Sequence, residues 1–94
     1  MLFVILCTDK PDSAALRVAT RPVHIEYLEK FRSRIAISGP FLADDGTTPR
    51  GSLLILDFAD KAEAQSFVDN DPYARAGLFS SVMIAPYKKV FGTG

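Results

Sequence analysis

Two rhythms of apolar residues run along this chain, and together they predict its elements. MLFVILCT (1–8) is apolar without alternation, which reads as a strand buried on both faces. KPDS then turns the chain, with Asp12 or Ser13 placed to accept from the orphan N–H groups that open a helix. Ala15, Ala19, Val23, Tyr27 and Phe31 follow at four-residue steps, with Leu16 and Leu28 alongside, a helical stripe. Pro22 falls inside it and predicts a kink, or a restart with Pro22 in a first turn. Lys30, Arg32 and Arg34 suit the negative end of that helix. IAISGPFLA (35–43) is a second strand, and its Gly39–Pro40 step marks an edge, a bulge or a strand end. DDGTTPRG is a polar hairpin loop. GSLLILDFA (51–59) is a third strand, again apolar on both faces. Asp60 and Glu63 make a capping-box pattern before a helix buried through Ala64, Phe67 and Val68. A short helical turn starts at Pro72, and SSVMIAPYKKVF (80–91) is the last strand.

The order is βαββαβ, the split-βαβ arrangement of a ferredoxin-like α+β fold. It implies a four-stranded antiparallel sheet with two main helices on one face. Two helices leave the other face open, yet strands one and three are apolar on both sides. A second copy packed sheet to sheet is the simplest cover, giving a homodimer; a monomer with a ligand groove there is the competing arrangement. Replacing Leu54 and Leu56 together with Lys is expected to dissociate or unfold the protein, with Leu53 and Ile55 probing the opposite face.

Composition narrows the partners. Ninety-four residues make one domain, 1–94. Eleven Lys and Arg balance eleven Asp and Glu, so no electrostatic footprint for nucleic acid or an acidic membrane is expected. The opening apolar run lacks a basic leader and is far shorter than the ~20 residues of a membrane span. One cysteine, Cys7, forms no internal disulfide, which fits a cytoplasmic location. One histidine and one cysteine make no zinc-type cluster, and phosphate-cradling and nucleophile-elbow motifs are absent.

His24, in RPVHIEYL, adjoins the apolar stripe, four residues before Leu28. Imidazole moves protons near neutral pH, so His24 is a candidate general acid or base, or else a boundary histidine with a satisfied hydrogen bond. Asp71, in DPY, is explained by capping alone, with Pro72 at the first helical position. A carboxylate has two oxygens, so one can cap while the other holds an imidazole. Arg21, three residues before His24, is either an anion clamp or a solvated arginine. Ser38, Gly39 and Pro40 are either a pocket wall or a strand irregularity. Tyr73 and Tyr27 read as core or rim, and Cys7 as a buried small hydrophobe.

RPVHIEYL, ISGPF, GSLLILDF, DPYARAGLF and APYKKV, in that order, resemble the YciI-like (YCII-related) proteins over nearly the whole chain. The resemblance implies a dimeric α+β barrel, two ferredoxin-like sheets face to face. It also implies a His–Asp dyad, His24 with Asp71, acting as general acid and base without a metal or cofactor. The chemistry so implied is isomerisation or elimination, of lyase or dehydrohalogenase type, on a small acid or lactone, including aromatic-derived ones. Arg21, Ser38, Gly39, Pro40 and Tyr73 would bind the substrate. The alternative is a non-catalytic ligand-binding or accessory protein on the same scaffold.

Overall fold

Strand β1 (Leu2–Asp9) lies second from one edge of the sheet in the computed structural model, which describes residues 1–92. It is followed by helix α1 (Ala14–Glu29), a 3-10 turn (Arg32–Arg34), β2 (Ile35–Leu42), β3 (Pro49–Asp57), α2 (Lys61–Asp69), α3 (Pro72–Arg75) and β4 (Phe79–Tyr87). The strands form one sheet in the order β2-β3-β1-β4, and every neighbouring pair is antiparallel. This is the α+β ferredoxin-like arrangement that the hydrophobic rhythm implies. Pro40 does sit on an edge strand, where a missing N–H disturbs only one ladder. The last strand stops at Tyr87, short of the expected Phe91.

Side chains alternate across the pleat, and the alternation settles which face of β1 and β3 meets the helices. Phe3, Ile5, Cys7, Leu54 and Leu56 are buried, together with Phe58, Ala64, Phe67 and Val68 of the α2 side. Each such large apolar side chain stabilises the fold by ~1.5–3 kcal/mol. Tyr27 and Phe31 bring the end of α1 onto this core; Phe31 meets Phe67 edge-on at 4.8 Å, and the Tyr27 hydroxyl donates to the Phe67 carbonyl at 2.8 Å. Val4 and Leu6 pair with Ile55 and Leu53 on the opposite face, half-buried, beside exposed Ile37 and Met83. Leu54 and Leu56 are therefore core residues, and Leu53 and Ile55 belong to the open face.

Three local expectations are corrected. The run at steps of four does not mark the buried face of α1: Ala15, Ala19 and Val23 are exposed. At 3.6 residues per turn each four-residue step advances about 40°, so five such positions wind to nearly opposite sides. The buried positions are Arg17 and His24, continued by half-buried Tyr27, Leu28 and Phe31. Secondly, of the kink or restart expected at Pro22, the restart does not occur: α1 is one helix from Ala14 to Glu29 with Pro22 inside it, on the exposed side. Thirdly, neither Asp12 nor Ser13 caps α1 with its side chain; the Ser13 hydroxyl donates back to the Lys10 carbonyl. The Asp60 side chain does cap α2, accepting from the Glu63 N–H at 2.9 Å. The Glu63 carboxylate instead pairs with Arg34.

Candidate active site

His24 is presented by the second half of α1, and Asp71 by the turn that opens α3. The two meet 47 residues apart in sequence: His24 Nδ1 lies 2.9 Å from Asp71 Oδ1. Both are buried, with 7% and 3% of their surface exposed. Asp71 Oδ1 also accepts the Tyr73 N–H at 2.9 Å, so one oxygen serves both the helix cap and the imidazole. The expected division of labour between the two oxygens is not what forms. Facing an ionised carboxylate, which only accepts, Nδ1 would carry the hydrogen. No hydrogen bond reaches His24 Nε2 among the described residues, and His24 lines a cleft of about 320 Å³.

Tyr73 fixes the plane of the imidazole. Its ring stacks on His24 with centroids 3.9 Å apart and planes 19° apart. Burial pushes the Tyr73 phenol up, against the opposing pull of the Arg17 and Arg21 charges. The cleft lies between α1 and the β2–β3 edge, and Arg21, Ser38, Gly39 and Pro40 line it with His24 and Tyr73. Arg21 is exposed and makes no ion pair among the described residues. A side chain at Gly39 would meet nothing within 4 Å, so no steric need inside the chain explains that glycine. The irregularities of β2 fall at its two ends, not at 38–40.

Arg17, Ser52 and Asp9 share this site and were not picked out from the sequence. Arg17 Nε donates to Asp9 Oδ2 at 2.9 Å, and Nη2 donates to the Gly51 carbonyl at 2.9 Å and to Ser52 Oγ at 2.6 Å. Nη1 reaches the Tyr73 hydroxyl at 3.4 Å, with the guanidinium 4.8 Å from that ring's centroid. The second oxygen of Asp9 is buried without a hydrogen-bond partner among the described residues. A signal for Arg17 was present: it lies seven residues before His24, two helical turns, on the same face. Ser52 likewise shares the phase of Leu54 and Leu56. Gly51 is required here, because a Cβ would overlap the Cys7 backbone carbonyl and the Phe41 ring.

Cys7 is buried nearby. Burial first, then the Asp71 and Asp9 charges, push its thiol up to about 12, partly offset by Arg17. That removes it from nucleophilic roles at neutral pH. No three His, Cys, Asp or Glu side chains gather as a metal-ligand group among the described residues, and no helix there is long and apolar enough to cross a membrane.

Comparison with known proteins adds an independent line. The family model for the YCII-related domain matches residues 1–88. Protein YciI of Escherichia coli is 38% identical, covering 97% of this chain and all of that protein. An uncharacterized protein of Haemophilus influenzae is 33% identical over the same shares. Among solved structures, the 5-chloro-2-hydroxyhydroquinone dehydrochlorinase TftG of Burkholderia phenoliruptrix, in complex with 2,5-dihydroxybenzoquinone, superposes with a TM-score of 0.87. It is 36% identical, over 94% of each chain. An antibiotic biosynthesis monooxygenase, 18% identical over 96% of this chain and 99% of its own, shares the fold at a TM-score of 0.55.

Proposed function

The chain belongs to the YCII-related family, and from that premise we propose that it is a small lyase- or isomerase-type enzyme that works by proton transfer at His24. The observation that carries the reading is the pairing of His24 Nδ1 with buried Asp71 Oδ1 in the wall of a cleft. Asp71 holds the imidazole in one tautomer and stabilises the imidazolium, while Nε2 takes a proton from a substrate in the cleft. The electron pair left behind either takes the proton back from His24 at another position, which is isomerisation, or forms a π bond while a halide leaves with its bonding pair, which is elimination. Neither course needs an oxidant, a metal or a cofactor. Arg21 at the cleft mouth holds an anionic group, and Ser38, Gly39, Pro40 and Tyr73 shape the walls.

The substrate class is a small hydroxylated ring or acid. The likeness to a dehydrochlorinase whose structure holds a dihydroxybenzoquinone supports that class, and a cleft of about 320 Å³ suits one ring. The same reading makes residues 1–94 one cytoplasmic domain and pairs two copies through the open sheet face of Val4, Leu6, Leu53 and Ile55, as obligate interfaces are largely hydrophobic.

The test is chloride release from 5-chloro-2-hydroxyhydroquinone. Wild type turns over, and His24→Gln falls by about 10²–10⁴ in rate. A His24→Gln protein as fast as wild type would remove the base from the mechanism. Saturable binding of 2,5-dihydroxybenzoquinone without any turnover would make the protein a ligand-binding module. The pairing is checked by sedimentation at micromolar concentration: wild type runs as a dimer, and Leu53→Lys with Ile55→Lys runs as a folded monomer. A monomeric wild type would overturn the dimer.

A further inference from the structure

The groove between α1 and β2 does not end at the cleft that holds His24. A second compartment of about 270 Å³ adjoins it, lined by Ile25, Leu28, Glu29, Arg32, Ile35 and Ser38. Ile25, Leu28 and Ser38 line both compartments. The helical wall follows from spacing: Arg21, Ile25 and Leu28 are four and three residues apart, one stripe of α1, and Arg32 follows in the 3-10 turn. The strand wall depends on an irregularity. Ile35 and Ser38 pair with Leu56 and Leu54, the buried residues of β3, so both face the helices although they are three residues apart. Regular alternation would send one of them to the open face. The register shift between Ile35 and Ile37 resets the phase and aims Ile35 into the groove.

The two compartments differ in chemistry. The first holds His24 and the unpaired Arg21. In the second, Ile25, Leu28 and Ile35 supply apolar walls, and the cation is already matched. Arg32 donates to both oxygens of Glu29, from Nε at 2.8 Å and from Nη2 at 2.5 Å, which occupies the fork an anion would take. Ile25 is 39% exposed, and Leu28 and Ile35 are half-buried, so apolar surface in the groove still faces water. A single ring beside His24 does not cover it, because Leu28 lies about 6 Å further along the helix axis. We infer that the second compartment is a specificity subsite for an uncharged, apolar substituent, such as a short alkyl group, on the ring that His24 acts upon. Ile25 and Ser38 face each other at the junction and are its specificity-determining residues. The inference rests on the proposed function for the placement of the ring.

The experiment titrates the folded full chain with 2,5-dihydroxybenzoquinone and with its 3-propyl and 3-(2-carboxyethyl) derivatives, followed by their absorbance. The propyl derivative is expected to bind about tenfold tighter than the parent, since each fully buried methylene is worth about fourfold and an open groove covers only part of the chain. The carboxyethyl derivative, of similar reach, gains nothing. Ile25→Trp fills the junction from the helix and Ser38→Phe fills it from the strand; both positions are exposed, so the fold tolerates either change. Each variant abolishes the propyl preference. Equal wild-type affinity for parent and propyl derivative, a carboxyethyl complex tighter than the propyl one, or a propyl preference that survives in folded Ile25→Trp or Ser38→Phe would each overturn the subsite. Binding of none of the three quinones would overturn it together with the proposed function. The two readings separate otherwise. A propyl preference that both variants remove, without chloride release from 5-chloro-2-hydroxyhydroquinone, leaves the subsite standing in a ligand-binding module. Chloride release that depends on His24, with no propyl preference, does the reverse.

Discussion

Two helices in this molecule start the same way and end up with different work. Asp60 opens α2 and Asp71 opens α3, each with its carboxylate accepting a backbone N–H of the first turn at 2.9 Å. Asp60 is exposed, and its side chain does nothing further among the described residues. Asp71 is 3% exposed, and the oxygen that caps α3 also holds His24. The cap is a local device that any Asp before a helix supplies. The second bond exists only because α1 crosses α3 at the level of residue 24. A capping residue becomes part of a site when another element delivers a donor to the same oxygen.

Substituting Asn at both caps separates the roles most sharply. Asn caps about as well as Asp, so both variants keep most of their stability. Asp60→Asn keeps wild-type chloride release. Asp71→Asn loses about 10²–10⁴ in rate, because the charge that stabilises an imidazolium is gone and the amide can favour the wrong tautomer. Equal activity in the two variants would reduce Asp71 to a cap.

Alanine sharpens the same contrast in stability. Asp60→Ala costs about 0.5–2 kcal/mol, the cap alone. Asp71→Ala adds a buried His24 N–H without an acceptor, for about 1.5–5 kcal/mol in all. At roughly 4–8 °C per kcal/mol for a chain of this size, calorimetry resolves the difference. Matching losses of melting temperature would mean that the His24 bond adds nothing to the fold.

The smallest effect is read at Cys7, which senses the Asp71 charge. Its thiol, ordinarily at 9.0 and here pushed up to about 12, drops in Asp71→Asn. It stays above 9.0, because burial is the larger cause, and Asp60→Asn leaves it unmoved. Thiolate absorbance against pH measures this. The folded protein keeps a proton that the unfolded chain loses above 9.0, so stability falls as pH climbs from there towards about 12. Cys7→Ala should flatten that part of the stability profile.

The sequence alone determined the order of elements and the α+β class, and it offered His24 and Asp71 separately, one as a boundary histidine and the other as a cap; only the family resemblance paired them. The order and the class rest on local physics, since apolar runs, Asp–Pro helix starts and turn residues act within a few positions of one another. For β1 and β3 it also showed that both faces are apolar, but not which face the helices cover; two equally apolar phases look alike until α1 and α2 have chosen one. Tertiary structure decided the rest. It rotated the buried face of α1 away from Ala15, Ala19 and Val23 and onto Arg17, which the apolar stripe left out, and His24, which it put at its margin. Burial there is tolerable only because Asp9, Gly51, Ser52, Asp71 and Tyr73 arrive from three other elements with the matching acceptors. No window of the sequence contains both a buried donor and the partner that makes its burial possible, so that part of the site becomes legible only when the chain is folded.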